Sequence, residues 1–280
     1  DNEHSKFSYL AANVGERMEG LIQITTRDLS ETELHDDATK KPNPFSGKQS
    51  SIFLKGKYLI SDNAGLTLTF DTQEWEGDIN LSSDLGTSGY PQMISTTSAL
   101  GDDDGSRDRV SLSFDFSAQS RLYDNGSLSI YSQETDQRQV TNLNKNILGN
   151  FVNGPRGPQF VPNIPPTPIN EFKDYIFDQS IEGFALQFFK SLKSESGIRQ
   201  NIVYGAEQES IDVTRPRYRT ETNLLTQAIN SNIGGELYPN KTFPDTETVR
   251  TAFFINNRID ISDKTSIVVG ARHDLSLIHI

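Results

Sequence analysis

Cysteine is absent from the 280 residues. That excludes disulfide scaffolds, thiolate metal sites, iron–sulfur clusters and cysteine nucleophiles, while leaving the compartment open. Positive charge is scarce: 26 Lys and Arg stand against 38 Asp and Glu, a net charge of −12. The basic face that nucleic-acid binding requires is therefore not expected. Nowhere do 18 apolar residues follow one another, so no transmembrane helix is expected. A membrane is not thereby excluded, because barrel strands alternate apolar and polar residues and leave little hydropathy signal. A mean hydropathy of −0.54 suits a barrel with long polar loops. Nucleophile elbow, P-loop, Rossmann fingerprint and His-Glu-x-x-His are all missing, so no enzymatic activity is expected. There is no initiator methionine, and residues 275–280 (LSLIHI) read as a non-native tail. The chain is read as an internal fragment, with residues 1–274 as one partial barrel domain.

What is present is period two. Ile52, Leu54, Gly56, Tyr58 and Ile60 alternate with Phe53, Lys55, Lys57 and Leu59. Leu66, Leu68 and Phe70 alternate with Thr67, Thr69 and Asp71, and Val110, Leu112, Phe114 and Phe116 with Ser111, Ser113, Asp115 and Ser117. Such alternation gives a strand one apolar and one polar face. About ten strands are predicted, near 6–14, 17–34, 50–61, 65–78, 107–121, 126–142, 174–193, 197–214, 246–261 and 265–274. Gly, Asn, Asp and Ser clusters at 14–17, 61–65, 123–126, 194–197 and 262–265 predict tight turns. Long polar segments at 35–48, 79–106, 143–173 and 215–245 predict loops. Within the third, residues 149–168 carry six prolines and three glycines and are expected to lack regular structure. Residues 221–230 are the best helix candidate. The order is strand, short turn, strand, long loop, with strands two to three times the ~5–6 residues usual in soluble sheets. This predicts an all-β, antiparallel transmembrane barrel with short turns on one rim and long loops on the other.

In such a barrel Gln23, Arg27, Lys55, Lys57, Asp71, Gln73, Asp115, Gln133, Arg258 and Arg272 are expected to face the lumen. Tyr58, Phe70, Trp75, Phe114, Phe116, Phe184 and Phe188 are expected to face lipid. A soluble β-sandwich would use the same residues as surface and core. Asp102-Asp103-Asp104-Gly105 lacks the spacing of a calcium loop and reads as a solvated loop tip.

Residues 9–33 and 238–274 resemble two segments of the TonB-dependent outer-membrane receptors. The second carries a loop with Lys241, Phe243, Pro244 and Asp245, then a strand, a turn and a strand ending in Gly270, Arg272 and Asp274. Asn43-Pro44 before the strand at 50–60, and residues 177–188, also fit. The version of the pattern is closest to the haem/haemoglobin receptor branch, although the Phe-Arg-Ala-Pro and Asn-Pro-Asp-Leu boxes of that branch do not occur in these residues. The resemblance implies about ten strands of a 22-stranded barrel in a Gram-negative outer membrane. It implies a plug not among these residues, the TonB energy-coupling complex and outer-membrane lipid as partners, and no covalently bound cofactor. It implies haem, a haem protein or another iron complex as the external ligand. A siderophore or other TonB-dependent substrate is the second transport reading, and a soluble or surface β-rich binding or adhesin module is the alternative of another class.

Haem iron is commonly held by His or Tyr. His35, placed in the first long loop, and Tyr90, Tyr218 and Tyr238, in or beside later ones, are the candidate ligand contacts. A solvated loop residue is the plainer reading of each. No resident metal is expected, and His35-Asp36-Asp37 is read as solvated.

Overall fold

The computed structural model describes residues 6–13, 17–29, 43–195, 197–262 and 264–279. The expected loop histidine, His35, and part of the first expected turn lie outside the described residues. Among the described residues there is no α-helix, so none is long and apolar enough to cross a membrane.

One antiparallel sheet dominates. Its strands are β1 (Lys6–Asn13), β2 (Met18–Asp28), β3 (Phe45–Ser61), β4 (Ala64–Asn80), the short β5 (Gly86–Ser88), β6 (Gln92–Ser117), β7 (Asn125–Gly154), β8 (Gly157–Lys193), β9 (Arg199–Thr214) and β10 (Pro216–Asn223). The two-residue strands β11 (Ile229–Asn230), β12 (Asn232–Ile233), β13 (Glu236–Leu237) and β14 (Asn240–Lys241) follow, then β15 (Thr246–Ser262) and β16 (Thr265–His279). The path runs β1-β2-β3-β4-β6-β7-β8-β9-β15-β16. Its ends, β1 and β16, do not pair with each other, so the sheet is open. All ten predicted strands are present on this path.

Register settles which side chains share a face, because a one-residue step reverses the face. Leu68 pairs with Leu112, Leu112 with Ile130, and Ile130 with Phe184. Tyr58, Leu66, Phe114, Leu128 and Leu186 form the next row. This apolar face is the exposed one: Leu68 is 54% and Ile130 50% accessible. A sandwich would bury it. The ten residues expected in the lumen all lie on the opposite, polar face, where Arg107 binds Asp71 at 2.8 Å. On that face Tyr131 reaches past Gly183 of the next strand to donate to Glu209 at 2.9 Å. The Arg109 guanidinium sits 4.9 Å over its ring.

Trp75 is a correction. It pairs with Gln49 and Gly105 and shares the polar face with Asp71 and Gln73, not the lipid face with Phe70. Its ring lies across Gly105, where a Cβ would also meet the Asp136 carbonyl oxygen at 2.9 Å. Gly105→Val is therefore expected to cost about 1–3 kcal/mol by overpacking. The second variant Gly105→Val/Trp75→Ala should recover part of that loss in denaturant titration.

The outward face changes character along each strand. On β4, Phe70 is followed at the alternate positions by Thr72, Glu74, Glu76 and Asp78, and on β6, Val110 is preceded by Asp108, Ser106, Asp104 and Asp102. The apolar stretch thus ends well short of the strands' far ends. Strands β6, β7 and β8 are 26, 30 and 37 residues long, whereas a span needs ~9–11. They project far beyond the apolar belt.

Three expected loops are largely strand. Asp102–Gly105 is no loop tip: it lies inside β6, paired on both sides. The expected loop at 143–173 is a hairpin whose turn is only Pro155-Arg156. Its prolines are accommodated because residues 158–168 pair with β7 alone, so a missing N–H can face an unpaired edge. Pro165 and Pro166 fall in an irregularity, since Pro162 pairs with Gly149 and Thr167 with Ile147. The helix candidate at 221–230 is instead the end of β10, a turn and β11. Pairing of Glu221, Thr222 and Asn223 with β8 overrides local helical preference, and the Asn223 side chain accepts from the Leu225 and Thr226 amides to close the turn.

Candidate ligand-binding site

Beyond the belt, β9 and β10 form one run along β8. Asp178 pairs with Thr214 and Tyr175 with Arg217 in the same register, so only Arg215 and Pro216 interrupt the ladder. Alternation then places Arg215, Arg217 and Arg219 on one face, beside Phe177, Tyr175 and Lys173 of β8. This face is continuous with the polar lumenal face through Gly183 and Ile181. The segment 224–245 folds back over it, fixed to the free edge of β10 by Glu221↔Asn230 and Pro216↔Lys241 pairing.

Two of the three arginines are satisfied within the protein. Arg219 donates to Glu171 at 2.5 Å. Glu171 is fully buried, ion-paired to Lys145 as well, with Lys173 at 3.6 Å. Burial alone would push the Glu171 carboxyl up; the Lys145 hydrogen bond and the charges of Lys145, Lys173 and Arg219 outweigh it and hold the carboxyl below its ordinary range. Arg217 donates to the Tyr238 hydroxyl at 3.2 Å, and that hydroxyl donates to Glu236 at 2.7 Å. The Tyr238 contact is also what holds the Glu236 carboxyl below its usual range. The Arg217 guanidinium lies 4.9 Å over Tyr175 and 5.6 Å from the Tyr238 ring.

Arg215 differs. Its guanidinium lies 4.9 Å over the Phe177 ring and 5.9 Å from the centre of the Phe243 ring; it is exposed and has no carboxylate partner among the described residues. It lines a groove of about 470 Å³ with Gln137, Gln139, Tyr175, Phe177 and Arg217.

Of the residues singled out in the sequence, Tyr238 belongs to this cluster. It is 4% accessible, so its phenol is spent on Glu236 and Arg217. Phe243 flanks the groove. Lys241 ion-pairs with Asp245 within the segment, and its backbone pairs with Pro216 beside the arginine row. Tyr218 points to the outward face, opposite Asp174. Tyr90 is 65% accessible and lies against Phe151 at a ring distance of 5.7 Å, on a different strand pair. Gly270, Arg272 and Asp274 lie on the lumenal face of β16, where Arg272 binds Asp274 at 2.8 Å and also pairs with Glu207. They belong to the wall. His273 pairs with Phe253 on the outward face. Among the described residues no group of three His, Asp or Glu is placed to hold a metal ion.

Glu171, Lys145 and the three arginines were not singled out in the sequence, because 143–173 and 215–245 read as loops. One signal was available: Arg215-Pro216-Arg217-Tyr218-Arg219 is itself period two, the mark of a strand with a cationic face.

Comparison with curated proteins gives no match. Comparison with family models matches residues 54–276, well over half of the chain, to the family described as TonB dependent receptor-like, beta-barrel.

Proposed function

Since this chain belongs to the TonB-dependent receptor-like β-barrel family, we propose that it is the ligand-gathering part of a barrel that imports haem or another iron complex across a Gram-negative outer membrane, energised through the TonB complex. The family carries the general reading of outer-membrane, TonB-dependent transport. The exposed apolar belt and the polar inner face support it, because lipid solvates the first and a water-filled or plug-filled lumen the second. The finer reading, haem or iron, rests on the resemblance of residues 238–274 to the haem branch. Tyr90, Tyr218 and His35 remain the proposed contacts for that ligand, and Tyr238, buried against Arg217, would bear on it only by positioning that side chain. A siderophore receptor would share the wall and differ in the groove.

The test uses the full-length protein in cells lacking other haem and siderophore receptors. Growth on haemin as sole iron source, lost when TonB is deleted, is the expected result. Growth on ferric siderophores but not haemin would shift the reading to the siderophore class. Growth on neither, with the receptor present in the outer membrane, would overturn the iron assignment.

A further inference from the structure

We propose that the groove at Arg215 recognises a carboxylate on the transported ligand; this rests on the transport reading above and adds the chemical group that the site selects. Three observations carry it. First, Arg215 is the one member of the arginine row without a carboxylate among the described residues, while Arg219 binds Glu171 and Arg217 binds Tyr238 beside Glu236. In a chain of net charge −12, an unpaired cation beside an open cavity is not explained by the internal ion-pair pattern. Second, the Arg215 guanidinium lies 4.9 Å over the Phe177 ring and 5.9 Å from the centre of the Phe243 ring, two cation–π contacts that help to orient the fork. A planar fork held this way matches the two oxygens of a carboxylate. Third, Gln137 and Gln139 line the same groove as Arg215, supplying amide donors for the body of the ligand. A single guanidinium without an internal carboxylate matches the charge of a singly charged carboxylate better than that of a doubly charged phosphate. The groove opens on the same face that leads down to the lumen, so a ligand held there is already on the inner side of the wall.

The experiment measures binding to the full-length receptor in detergent with four probes: haemin, haemin dimethyl ester, ferric citrate and an uncharged ferric trihydroxamate. At least one of the two carboxylate probes is expected to bind. Arg215→Ala should weaken it about 10–100-fold, the effect of losing a charge-assisted bidentate contact. Arg215→Lys should fall between, because a point charge cannot reproduce the fork. The ester or the trihydroxamate should show no dependence on Arg215. Arg215 makes no ion pair in the described structure, so both variants should assemble; an unchanged tryptic pattern of the projecting strands checks this. Failure of both carboxylate probes to bind, equal affinity of wild type and Arg215→Ala, or an equal loss for acid and ester would each overturn the proposal. TonB-dependent uptake measured in parallel separates the two readings. Energised uptake with binding indifferent to Arg215 removes this inference and keeps the transport reading. Arg215-dependent carboxylate binding without energised uptake does the reverse.

Discussion

Leu112→Arg is expected to lower the stability of the assembled barrel by about 2–4 kcal/mol, the cost of a cation on the lipid face near the bilayer midplane. Leu112 sits in the middle of the row Leu68, Leu112, Ile130 and Phe184, all on the exposed apolar face. Ser113→Arg, one residue further, enters the face that already carries Lys55, Asp71 and Arg109. It is expected to cost less than about 1 kcal/mol. Denaturant titration of the full-length barrel refolded into phosphatidylcholine vesicles would read both. Equal costs, or a larger cost at Ser113, would contradict the assignment of faces. The pair differs by one position, so strand location is nearly the same and the solvent of each face is the main difference compared.

The second large effect is expected at Glu171. Its carboxylate is fully buried among Lys145, Lys173 and Arg219. Glu171→Ala leaves three cations facing one another with no anion, and removing one partner of a buried charge cluster costs about 3–5 kcal/mol. The loss should fall on the projecting unit rather than on the membrane-spanning wall, because Lys145, Glu171 and Arg219 all lie beyond the apolar belt. Faster amide exchange in residues 169–175 and 216–223, with 200–208 and 126–132 unchanged, is the expected signature. Glu171→Gln keeps the shape and removes the charge, so a similar loss would identify charge as the cause. Since the folded carboxyl is held below its ordinary value, its contribution is fully present above the unfolded value of about 4.3. It is lost as pH falls below that value and through the lower folded one. Exchange protection of the same segment should therefore decline under acid in wild type and be flat in Glu171→Gln over that window.

Period two was legible wherever one face met lipid. At Leu66, Leu68 and Phe70, or Val110, Leu112 and Phe114, the solvent on each side of the sheet differs, so the residues alternate and the strand shows in the sequence. The same alternation put the ten residues expected in the lumen on one shared, polar face. Trp75 was not, because an aromatic residue was assigned by type; position parity puts it over Gly105 on the polar face. Beyond the belt the signal fades. Both faces of β6, β7 and β8 there meet polar surroundings, the alternation loses its apolar member, and residues 92–106 and 143–173 look like loops while forming paired strands. Prolines strengthened that impression, and only the absence of a second neighbour for residues 158–168 permits them.

By itself, then, the sequence determined the architecture of the wall: antiparallel strands, short turns on one rim, an apolar face outward and a polar face inward. These follow from local pattern, because within the belt each strand meets the same pair of solvents. The site was decided by tertiary structure. Arg215, Arg217 and Arg219 become a row because β10 continues β9 along β8, and Glu171 becomes buried because Lys145 of β7 and Arg219 of β10 flank it from opposite sides. Arg215 is the member without a carboxylate partner among the described residues, while Glu171 and Glu236 are engaged by its neighbours. Pairings between residues dozens of positions apart carry no local signature, so chemistry that depends on them emerges only when the strands are laid side by side.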